Sequence, residues 1–493
     1  MKYDLIVVGM GPSAAFLAYE LIQQNNYKSV LLIDQGKNVK KRACPIEKTG
    51  KCVKCKPFCN ITCGFSGAGA FSDGKLLSYH KSSLGNSDDI YLGGNGGGYI
   101  KDYLSKEEIV DLLTYTDNIY LDFGADTKLE GVEYEEEIKK LQKKAAKANL
   151  SLVSCPIRHL GTEKAHILYS KIQDYLEEHG INMMYETEVL DIIIDKNKVK
   201  GVTIKHNNSD IVEEIKAKKV VLAVGRKGAS WLSEMCRIHD IKTRLGSVDI
   251  GIRYELPDEV MKDINKYMYE GKFIGRPFPY GDKVRTFCQN PSGFVSAEVY
   301  DNNLTLVNGH SYKEKKSHNT NLAILVTHHF TYPFDKPIEY GENVARNLNS
   351  LANGTAMVQR LGDIRRGRRT WPEDLEHNSV EPTLKGAVAG DLTYSLGYRT
   401  MTDILNFIND IDKVVEGFAN PDNLLYGPEI KFYSNEVELN KDFETSVKGL
   451  YSIGDGGGLT TGLMMASASG VKLARILSQK KKWEYLDYVQ KKN

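Results

Sequence analysis

The chain has 493 residues, of which 41% are hydrophobic and 26% are charged, and its formal net charge is +1 at pH 7. This length is enough for a large core divided into two or three structural units. The near-neutral charge argues against a protein that is steered to nucleic acid or to an acidic membrane surface.

The cysteines and the first residues bear on location. Five of the eight cysteines lie between residues 44 and 63, unlike the spread pattern of a short secreted disulfide scaffold. The opening MKYDLIVVG enters a strand pattern at once and has neither a basic signal region nor a cleavage site. No window approaches the roughly 18 uninterrupted apolar residues of a membrane-spanning helix. We therefore expect a cytoplasmic protein without a membrane span.

The first thirty-four residues carry the pattern of a dinucleotide-binding unit. Residues 3–8 form an apolar run of strand length, and GMGPSA at 9–14 follows with the spacing G-x-G-x-x-A. Apolar residues then recur at helical spacing. A second strand, Ser29–Ile33, ends at Asp34, twenty residues after Ala14. This succession predicts an α/β, Rossmann-like unit.

Each residue type in this turn has a physical task. Gly9 permits the turn, Gly11 lets a pyrophosphate approach the backbone, and Ala14 lets helix and strand pack closely. The helix N-terminus offers N–H groups and the positive end of its dipole to the phosphates. The carboxylate of Asp34 can accept hydrogen bonds from ribose hydroxyls.

The rest of the chain favours FAD over NAD. Residues 181–224 predict a three-stranded antiparallel meander inserted before a final buried strand that ends in AVGR. Near the C-terminus, GLYSIGDGGGLTTGL predicts a strand, a glycine-rich turn and the start of a long helix. Together with the N-terminal pattern, these segments resemble the FAD-binding domain of the glutathione-reductase-like flavoprotein superfamily.

This resemblance implies roles for particular residues. Asp455 of the "GD" segment would hold the ribityl chain, and the helix from about Thr461 would point its N-terminus at the flavin pyrimidine. Val189 would reach the adenine. The resulting cofactor-binding set is Gly9, Gly11, Pro12, Ser13, Ala14, Asp34, Arg42, Gly67, Ala68, Val189, Gly225, Gly454, Asp455, Gly462 and Leu463.

A narrower resemblance is carried by four segments: CP…GxCxxC…GFSGAGAFSDGKL, RHLGTEK, PEIKFYS and GLYSIGDGGGLTTGL. The chain is similar in these to a bacterial and archaeal family of FAD-dependent dehydrogenases whose substrate is mostly unassigned. The likeness covers most of the chain. It implies a fold and a flavin, but no particular reaction.

The expected organisation is discontinuous. Residues 1–80, 155–245 and 440–480 would form the FAD-binding domain, a parallel sheet with a β-meander. Residues 81–154 would be a mostly helical insertion. Residues 246–440 would form a second, α+β domain that, by the resemblance, covers the flavin ring and supplies the substrate pocket.

Four interpretations of the cysteine segment stay open. Cys44, Cys52, Cys55 and Cys59, or Cys63 in place of the last, could bind a structural zinc ion. The spacing departs from the common ferredoxin run, but an iron–sulfur cluster is a second interpretation. A flavin-coupled dithiol is the third, and plain reduced thiols beside the cofactor are the fourth.

Candidates for chemistry are fewer. By the resemblance, residues 64–76 approach the flavin ring, so Asp73 and Lys75 are the nearest candidates for a proton relay, unless they pair with each other or cap a helix. Arg253 could orient a substrate carboxylate. The stretch QRLGDIRRGRRT at 359–370 has five arginines, which either clamp an anion or pair with Glu373, Asp374 and Glu376.

The leading hypothesis is an FAD-dependent oxidoreductase that transfers hydride between the flavin N5 position and a small organic substrate. No second G-x-G-x-x-G unit is present, so the electron partner would be the substrate, a transient NAD(P)H or a redox protein. Flavin-dependent modification of RNA bases is an alternative enzyme, which the net charge opposes. A redox sensor or electron carrier that uses the cysteine segment is the alternative without turnover.

Overall fold

Two large β-sheets organise the protein. The computed structural model describes residues 2–25, 29–45, 55–71, 74–77, 98–160, 162–244, 246–268, 270–299, 304–311, 315–331, 333–334, 336–432 and 436–478. The strands and helices below are those of these residues.

The strands are numbered in chain order. They are β1 (Lys2–Val8), β2 (Val30–Ile33), β3 (Lys75–Leu77), β4 (Leu150–Ser154), β5 (Ile157–His159), β6 (Asn182–Met184), β7 (Thr187–Asp195), β8 (Lys198–His206), β9 (Val212–Leu222), β10 (Thr243–Arg244), β11 (Val248–Pro257), β12 (Gly271–Gly275), β13 (Val284–Asn290), β14 (Phe294–Val299), β15 (Thr305–His310), β16 (Asn319–His328), β17 (Met357–Arg360), β18 (Val388–Ala389), β19 (Leu424–Phe432), β20 (Glu436–Val437) and β21 (Leu450–Ser452).

The helices are numbered in the same way. They are α1 (Pro12–Gln24), α2 (Lys106–Asp122), α3 (Glu135–Lys147), α4 (Thr162–Glu178), α5 (Ala229–Ile238), α6 (Lys262–Tyr267), α7 (Pro337–Leu351), α8 (Leu361–Arg365), α9 (Pro372–Glu376), α10 (Tyr398–Asp412) and α11 (Leu463–Leu477).

The first sheet is the predicted Rossmann-like unit. Its order is β6-β2-β1-β9-β8-β7, and β21 pairs with β9. Strands β6, β2, β1, β9 and β21 run parallel, while β7 and β8 form antiparallel pairs that continue from β9. The α/β class expected from the sequence is confirmed, and the "GLYSI" segment joins the sheet only through residues more than 200 positions away.

One strand differs from the sequence-based expectation. The third meander strand and the following buried strand form a single strand, β9. Its first part pairs antiparallel with β8, and the part from Lys216 pairs parallel with β1. Lys216 and Lys218 are exposed on either side of the buried Ala217, as in a strand, and form no turn. The meander and the parallel sheet therefore share one continuous backbone.

Helices α1 and α11 pack against each other through a small residue. Helix α1 begins with Pro12 at its first position and ends at Asn25, which has a left-handed φ of 52°. A Cβ on Gly470 of α11 would overlap the Ser13 carbonyl oxygen and lie 2.8 Å from the Leu17 nitrogen. The two helix backbones can approach this closely because position 470 is glycine.

The second sheet has the order β18-β17-β19-β11-β16-β13-β12-β4. Its pairs are antiparallel except for β17–β18. Strand β4 comes from the segment expected to be mostly helical, and α2 and α3 are its helices. This segment therefore contributes a strand to the second sheet as well as helices.

The two faces of the second sheet have opposite character. On β11, Ile250, Ile252 and Tyr254 belong to a hydrophobic cluster that includes residues of α7 and α10. The alternate positions of β11 carry charges, and so do facing positions on neighbouring strands. We call this set the charged face; it consists of Asp249, Arg253, Glu255, Lys272, Arg285 and Glu429, each at most 5% exposed.

Burial of so many charges requires partners. Arg253 donates to Glu429 through Nε at 2.8 Å and Nη2 at 2.7 Å, and Arg285 pairs with Asp249. The β14–β15 hairpin covers one end of the face, where Arg253 Nη2 donates to Asn308 Oδ1 at 3.0 Å. The charged face is therefore an internal polar layer between elements.

The helix contact at Gly470 gives the first prediction. In Gly470→Ala the new methyl group meets the backbone of α1, which cannot move aside, so we expect a stability loss of about 1–3 kcal/mol. Urea unfolding of the cofactor-free protein measures it. Gly386→Ala is the control, because a Cβ there has no neighbour within 4 Å. Equal unfolding midpoints for the two variants would contradict the packing described here.

Candidate cofactor site

The turn between β1 and α1 is pressed against the end of β9. Gly9 has φ 98°, and a Cβ there would overlap the carbonyl oxygen of Ala223 and lie 3.1 Å from the Val224 Cα. The Gly9 nitrogen also donates to the Ile33 carbonyl at 2.7 Å. Only glycine fits this conformation and contact without strain. The turn is thereby fixed between the ends of two parallel strands.

The Asp34 carboxylate joins three segments. Its Oδ2 accepts from the Met10 nitrogen at 3.0 Å, and its Oδ1 accepts from the nitrogens of Gly36 at 2.8 Å and Gly64 at 2.7 Å. Burial raises the pKa of Asp34, while these three N–H groups and Arg42 oppose the shift. A carboxylate has about four acceptor positions, so its predicted hydrogen bond to ribose stays a prediction beside this structural task.

Arg42 shapes the neighbouring loop. Its Nε donates to the Asn60 carbonyl at 2.8 Å, and its Nη2 donates to Ile61 at 2.5 Å and Gly67 at 2.6 Å. Its Nη1 donates to the Phe65 carbonyl and lies 3.2 Å from the Ser66 hydroxyl.

A guanidinium has five N–H donors, and these acceptors engage them. In the structure Arg42 is therefore a clamp for residues 60–67, and its expected contact with the cofactor stays a prediction. Burial lowers the pKa of Arg42 to about 10, against the raising influence of Asp34.

Residues 64–67 lie against the β1–α1 turn. The Ser66 nitrogen donates to the Met10 carbonyl at 2.7 Å. Gly67 has φ 52°, and a Cβ there would stand 3.5 Å from the Gly11 Cα. Ala68, the next residue, is exposed. The hydrogen bonds from Arg42 thus hold Gly67 and Ala68, two predicted cofactor residues, beside the β1–α1 turn.

The "GD" segment closes the same site from the C-terminal part of the chain. A Cβ on Gly454 would lie 2.7 Å from Ser13 Oγ, and one on Gly456 would lie 2.7 Å from the Gly225 carbonyl oxygen. The Asp455 carboxylate accepts from Thr460 Oγ1 at 2.9 Å and from the Gly462 nitrogen at 3.1 Å. Arg226 Nε lies 3.3 Å from Asp455 Oδ2. These bonds shape the turn that leads into α11.

Open space borders these motifs. A Cβ on Gly11, Gly225 or Gly462 would meet no atom within 4 Å. We call the four segments 9–14, 64–68, 223–225 and 454–463 the cradle. Helices α1 and α11 both begin at it, so two positive dipole ends are available to an anionic ligand. This combination of helix starts, glycine backbone and space fits an adenine dinucleotide.

The remaining predicted cofactor residues lie around the cradle. Ser13 and Ala14 are buried in α1, and Leu463 is partly buried at the first position of α11. Val189 is 8% exposed in β7. The N–H group of Thr187, two residues before Val189, donates to the Asp34 carbonyl at 3.0 Å, so β7 begins next to Asp34.

The described cysteines of the 44–63 segment are free thiols. Cys63 is buried, and its sulfur accepts from Gln35 Nε2 at 3.2 Å. Burial raises the pKa of Cys63, so its thiol is held neutral. Cys52 lies outside the described residues. Within the described ranges no three His, Cys, Asp or Glu side chains are grouped to hold a metal ion, and a metal site that includes Cys52 stays a prediction.

The three catalytic candidates have different positions. Arg253 forms an ion pair with Glu429 and has no exposed surface, and its expected contact with a substrate carboxylate stays a prediction. Asp73 lies outside the described residues. Lys75, on β3, pairs in register with His159 and acts electrostatically on Glu270 at the edge of the second sheet.

Glu270 belongs to a buried group that the sequence did not indicate. Lys272 Nζ lies 3.3 Å from Glu270 Oε1, and both side chains are at most 7% exposed. The charges of Lys272 and Lys75 lower the pKa of Glu270 although burial, the largest influence, raises it. Cys155 adjoins Lys272, and burial raises the pKa of its thiol to about 11. Glu270 and Lys272 stand in no recognisable motif; only their shared location reveals them.

The arginine-rich stretch is internally paired. Arg360 Nη2 lies 2.5 Å from Asp422, and Arg368 Nη2 lies 2.9 Å from Asp363 and 3.0 Å from Asp374. Of the acids expected to balance this stretch, Asp374 does so, and two further partners come from 363 and 422. The pairing favours a structural role over an anion clamp.

A comparison with protein families indicates a flavin cofactor. Residues 249–431 match the family model described as "FAD-dependent protein, C-terminal domain-like". An uncharacterized protein of Clostridium beijerinckii is 24% identical over 514 residues, covering 97% of this chain and 81% of the relative.

Solved flavoenzymes show a more distant likeness. A quinol–fumarate reductase is 14% identical, with 100% of this chain and 74% of that chain covered and a TM-score of 0.44. L-proline dehydrogenase from P. horikoshii is 12% identical, with coverages of 98% and 95% and a TM-score of 0.39. Glycine oxidase from Bacillus cereus is 12% identical, with coverages of 98% and 97% and a TM-score of 0.34. Values this low transfer no activity to this chain.

The family match and the cradle agree on FAD as the cofactor, and the class of enzyme they indicate is an FAD-dependent oxidoreductase. In the described part of the chain, no helix has the length and apolar character to cross a bilayer.

The Arg42 clamp gives the second prediction. Arg42→Lys keeps the charge but cannot reach several carbonyl oxygens at once, so residues 60–67 should loosen and FAD affinity should fall by about tenfold or more, the equivalent of one lost hydrogen bond to a charged group. Fluorescence titration of the cofactor-free protein with FAD measures this. Arg237→Lys, at an exposed position of α5, is the control, and equal affinities for both variants would contradict the clamp.

Proposed function

We propose that this protein is an FAD-dependent oxidoreductase of the glutathione-reductase-like superfamily, acting on a small organic substrate. The observation that carries the proposal is the meeting of four glycine-containing segments, distant in sequence, around one open cradle. The match of residues 249–431 to an FAD-dependent family supports the same cofactor.

The residues of the cradle divide the work of holding the cofactor. The start of α1 and Gly11 would receive the pyrophosphate, and Asp34 would receive the adenine ribose while it fixes the turn. Asp455, already oriented by Thr460 and Gly462, would receive the ribityl chain. The start of α11 would stabilise negative charge at the flavin pyrimidine. Bound there, FAD supplies hydride exchange through its N5 position.

The substrate site would lie where Lys75 meets the edge of the charged face. Glu270 and Lys272 are buried there, and Lys75 is half-buried on the strand that follows the cradle segment. Buried charges of both signs can orient a polar substrate and hold a proton near it. In this proposal Lys75 exchanges a proton with the substrate. Glu270 and Lys272 position the Lys75 side chain.

The electron partner would be the substrate itself, NAD(P)H or a redox protein. The first sheet with its meander would be the discontinuous FAD-binding domain, built from 1–80, 155–245 and 440–480. The second sheet would belong to the substrate domain at 246–440, together with β4. The ion pairs of Arg360 and Arg368 with Asp422 and Asp363 weaken the case for RNA as a substrate, which stays the alternative.

A pair of matched glycines tests the cofactor. Gly11 and Gly397 both precede a helix, have φ of −69° and −54°, and would carry a Cβ without a neighbour within 4 Å. We expect Gly11→Leu to lose FAD, because the side chain fills the space for the pyrophosphate. Gly397→Leu should retain FAD, because only the first glycine borders the cradle.

The measurement is the flavin content after passage over a desalting column, with circular dichroism to compare the folds. Folded Gly11→Leu protein that keeps a full complement of FAD would contradict the proposal. So would wild-type protein that binds no FAD when it is supplied in excess.

The absorption spectrum of protein purified without oxygen gives a further prediction. We expect flavin bands that bleach with NADH, NADPH or a reducing substrate, and stopped-flow rates with the two nicotinamides identify the donor. Metal analysis of the same sample tests the cysteine segment. Iron with broad absorption beyond the flavin bands would indicate a cluster, and about one equivalent of zinc would indicate a structural site.

A further inference from the structure

A buried carboxyl group adjoins the cradle and has no part in the assignments above. Glu436 begins β20 and is 5% exposed. A Cβ on Gly458 would lie 3.0 Å from the Glu436 Cγ, and the Gly458 nitrogen donates to the Asp455 carbonyl at 3.3 Å. Glu436 therefore packs directly behind the turn that begins at the predicted ribityl-binding residue.

Tyr99 holds Glu436 in this position. The Tyr99 hydroxyl hydrogen-bonds to Glu436 and Ser247, and the Tyr99 nitrogen donates to the Gly458 carbonyl at 3.4 Å. The residue before it, Gly98, has φ 72°, and a Cβ there would overlap the Leu459 carbonyl oxygen. The backbone at 98–100 and the turn at 458–459 are therefore in tight contact beside Glu436.

The location also joins the two halves of the molecule. Strand β20 pairs with β10, with Arg244 opposite Glu436. These short strands lie on the two chain segments that lead into and out of the second sheet. Arg244 lies 3.6 Å from Asp102 and 3.9 Å from Glu438. The ionisable groups that face Glu436 are Tyr99, Arg244 and Asp102.

We propose that Glu436 is a protonation site coupled to the cofactor: with Tyr99, it binds a proton from solvent when the flavin in the cradle becomes reduced. This inference rests on the proposed function. In this step the flavin receives its electrons from the reductant. One proton from solvent converts the Glu436 carboxylate to the carboxylic acid. Neutralising a carboxylate beside the cradle favours the more negatively charged, reduced cofactor, and by linkage the reduced cofactor favours the proton.

The electrostatics support a group that titrates in the working range. Burial raises the pKa of Glu436 to about 7, and Asp102 adds to this, while the Tyr99 hydrogen bond and Arg244 lower it. Because the pKa in the folded protein lies above the ordinary value of 4.5, the stability from the protonated group is full below about 4.5 and is lost as pH rises through about 7.

The test uses the flavin-loaded protein in equilibrium with a redox dye. At pH 8.5 we expect Glu436→Gln to hold a reduced-to-oxidised flavin ratio about 5- to 150-fold above that of the wild type, the usual range of coupling between two sites. At pH 5.5 the two ratios should coincide, because Glu436 is then neutral in the wild type. Glu438→Gln, which removes a neighbouring half-buried carboxylate, should follow the wild type at both pH values.

Tyr99→Phe separates a titrating group from a merely structural one. Loss of the phenol hydrogen bond raises the pKa of Glu436, so the pH at which the flavin ratio departs from that of Glu436→Gln should move upward. A structural contact alone would not move this midpoint. In the cofactor-free protein, the melting temperature of the wild type relative to Glu436→Gln should fall between pH 5 and pH 8.

The outcomes are distinguishable. Flavin-loaded wild type and Glu436→Gln with coincident ratios at every pH would overturn this inference and leave the proposed function standing. Protein that binds no FAD would overturn the proposed function, and this inference with it. A Glu436→Gln ratio below that of the wild type at pH 8.5 would reverse the proposed sign and also overturn the inference.

Discussion

The cradle depends on direct contact between backbones at positions where a side chain cannot fit. Gly9 meets Ala223, Gly456 meets Gly225, and Gly470 meets Ser13. Each contact joins segments that are far apart in sequence. Because atoms of the main chain lie against each other, the β1–α1 turn, the end of β9 and the start of α11 have little freedom to move apart. A dinucleotide is long and bears charge at its centre, so a site that is already assembled spares it the entropy of ordering these loops.

Sequence patterns predicted the features that repeat in any dinucleotide-binding fold. The β1–α1 turn, the meander and the "GD" turn all form where the patterns place them, because local periodicity and glycine spacing define them. The hydrogen-bond partners of individual side chains were harder to predict from the sequence. Asp34 was correctly placed at the end of β2, but its bonds to Met10 and Gly64 depend on how three loops meet.

The partners that the sequence did not reveal have the same origin. The donors of Arg42 are saturated by a loop about twenty residues away, and Arg253 is matched by Glu429, 176 residues later. A sequence gives no sign that a second residue will neutralise the first. Strand β9 was predicted as two separate strands, whereas in the structure it is continuous, with Lys216 and Lys218 exposed on either side of the buried Ala217. Glu436 stands in no motif, and only the fold brings it to Gly458.

The order of the chain has a consequence for assembly in the cell. Strand β21 and helix α11 are among the last described elements, yet they complete the first sheet and one wall of the cradle. During synthesis the β1–α1 turn precedes helix α11 by more than 400 residues. A nascent chain that has not yet reached α11 therefore has no finished pocket for its coenzyme, and contacts this distant close slowly.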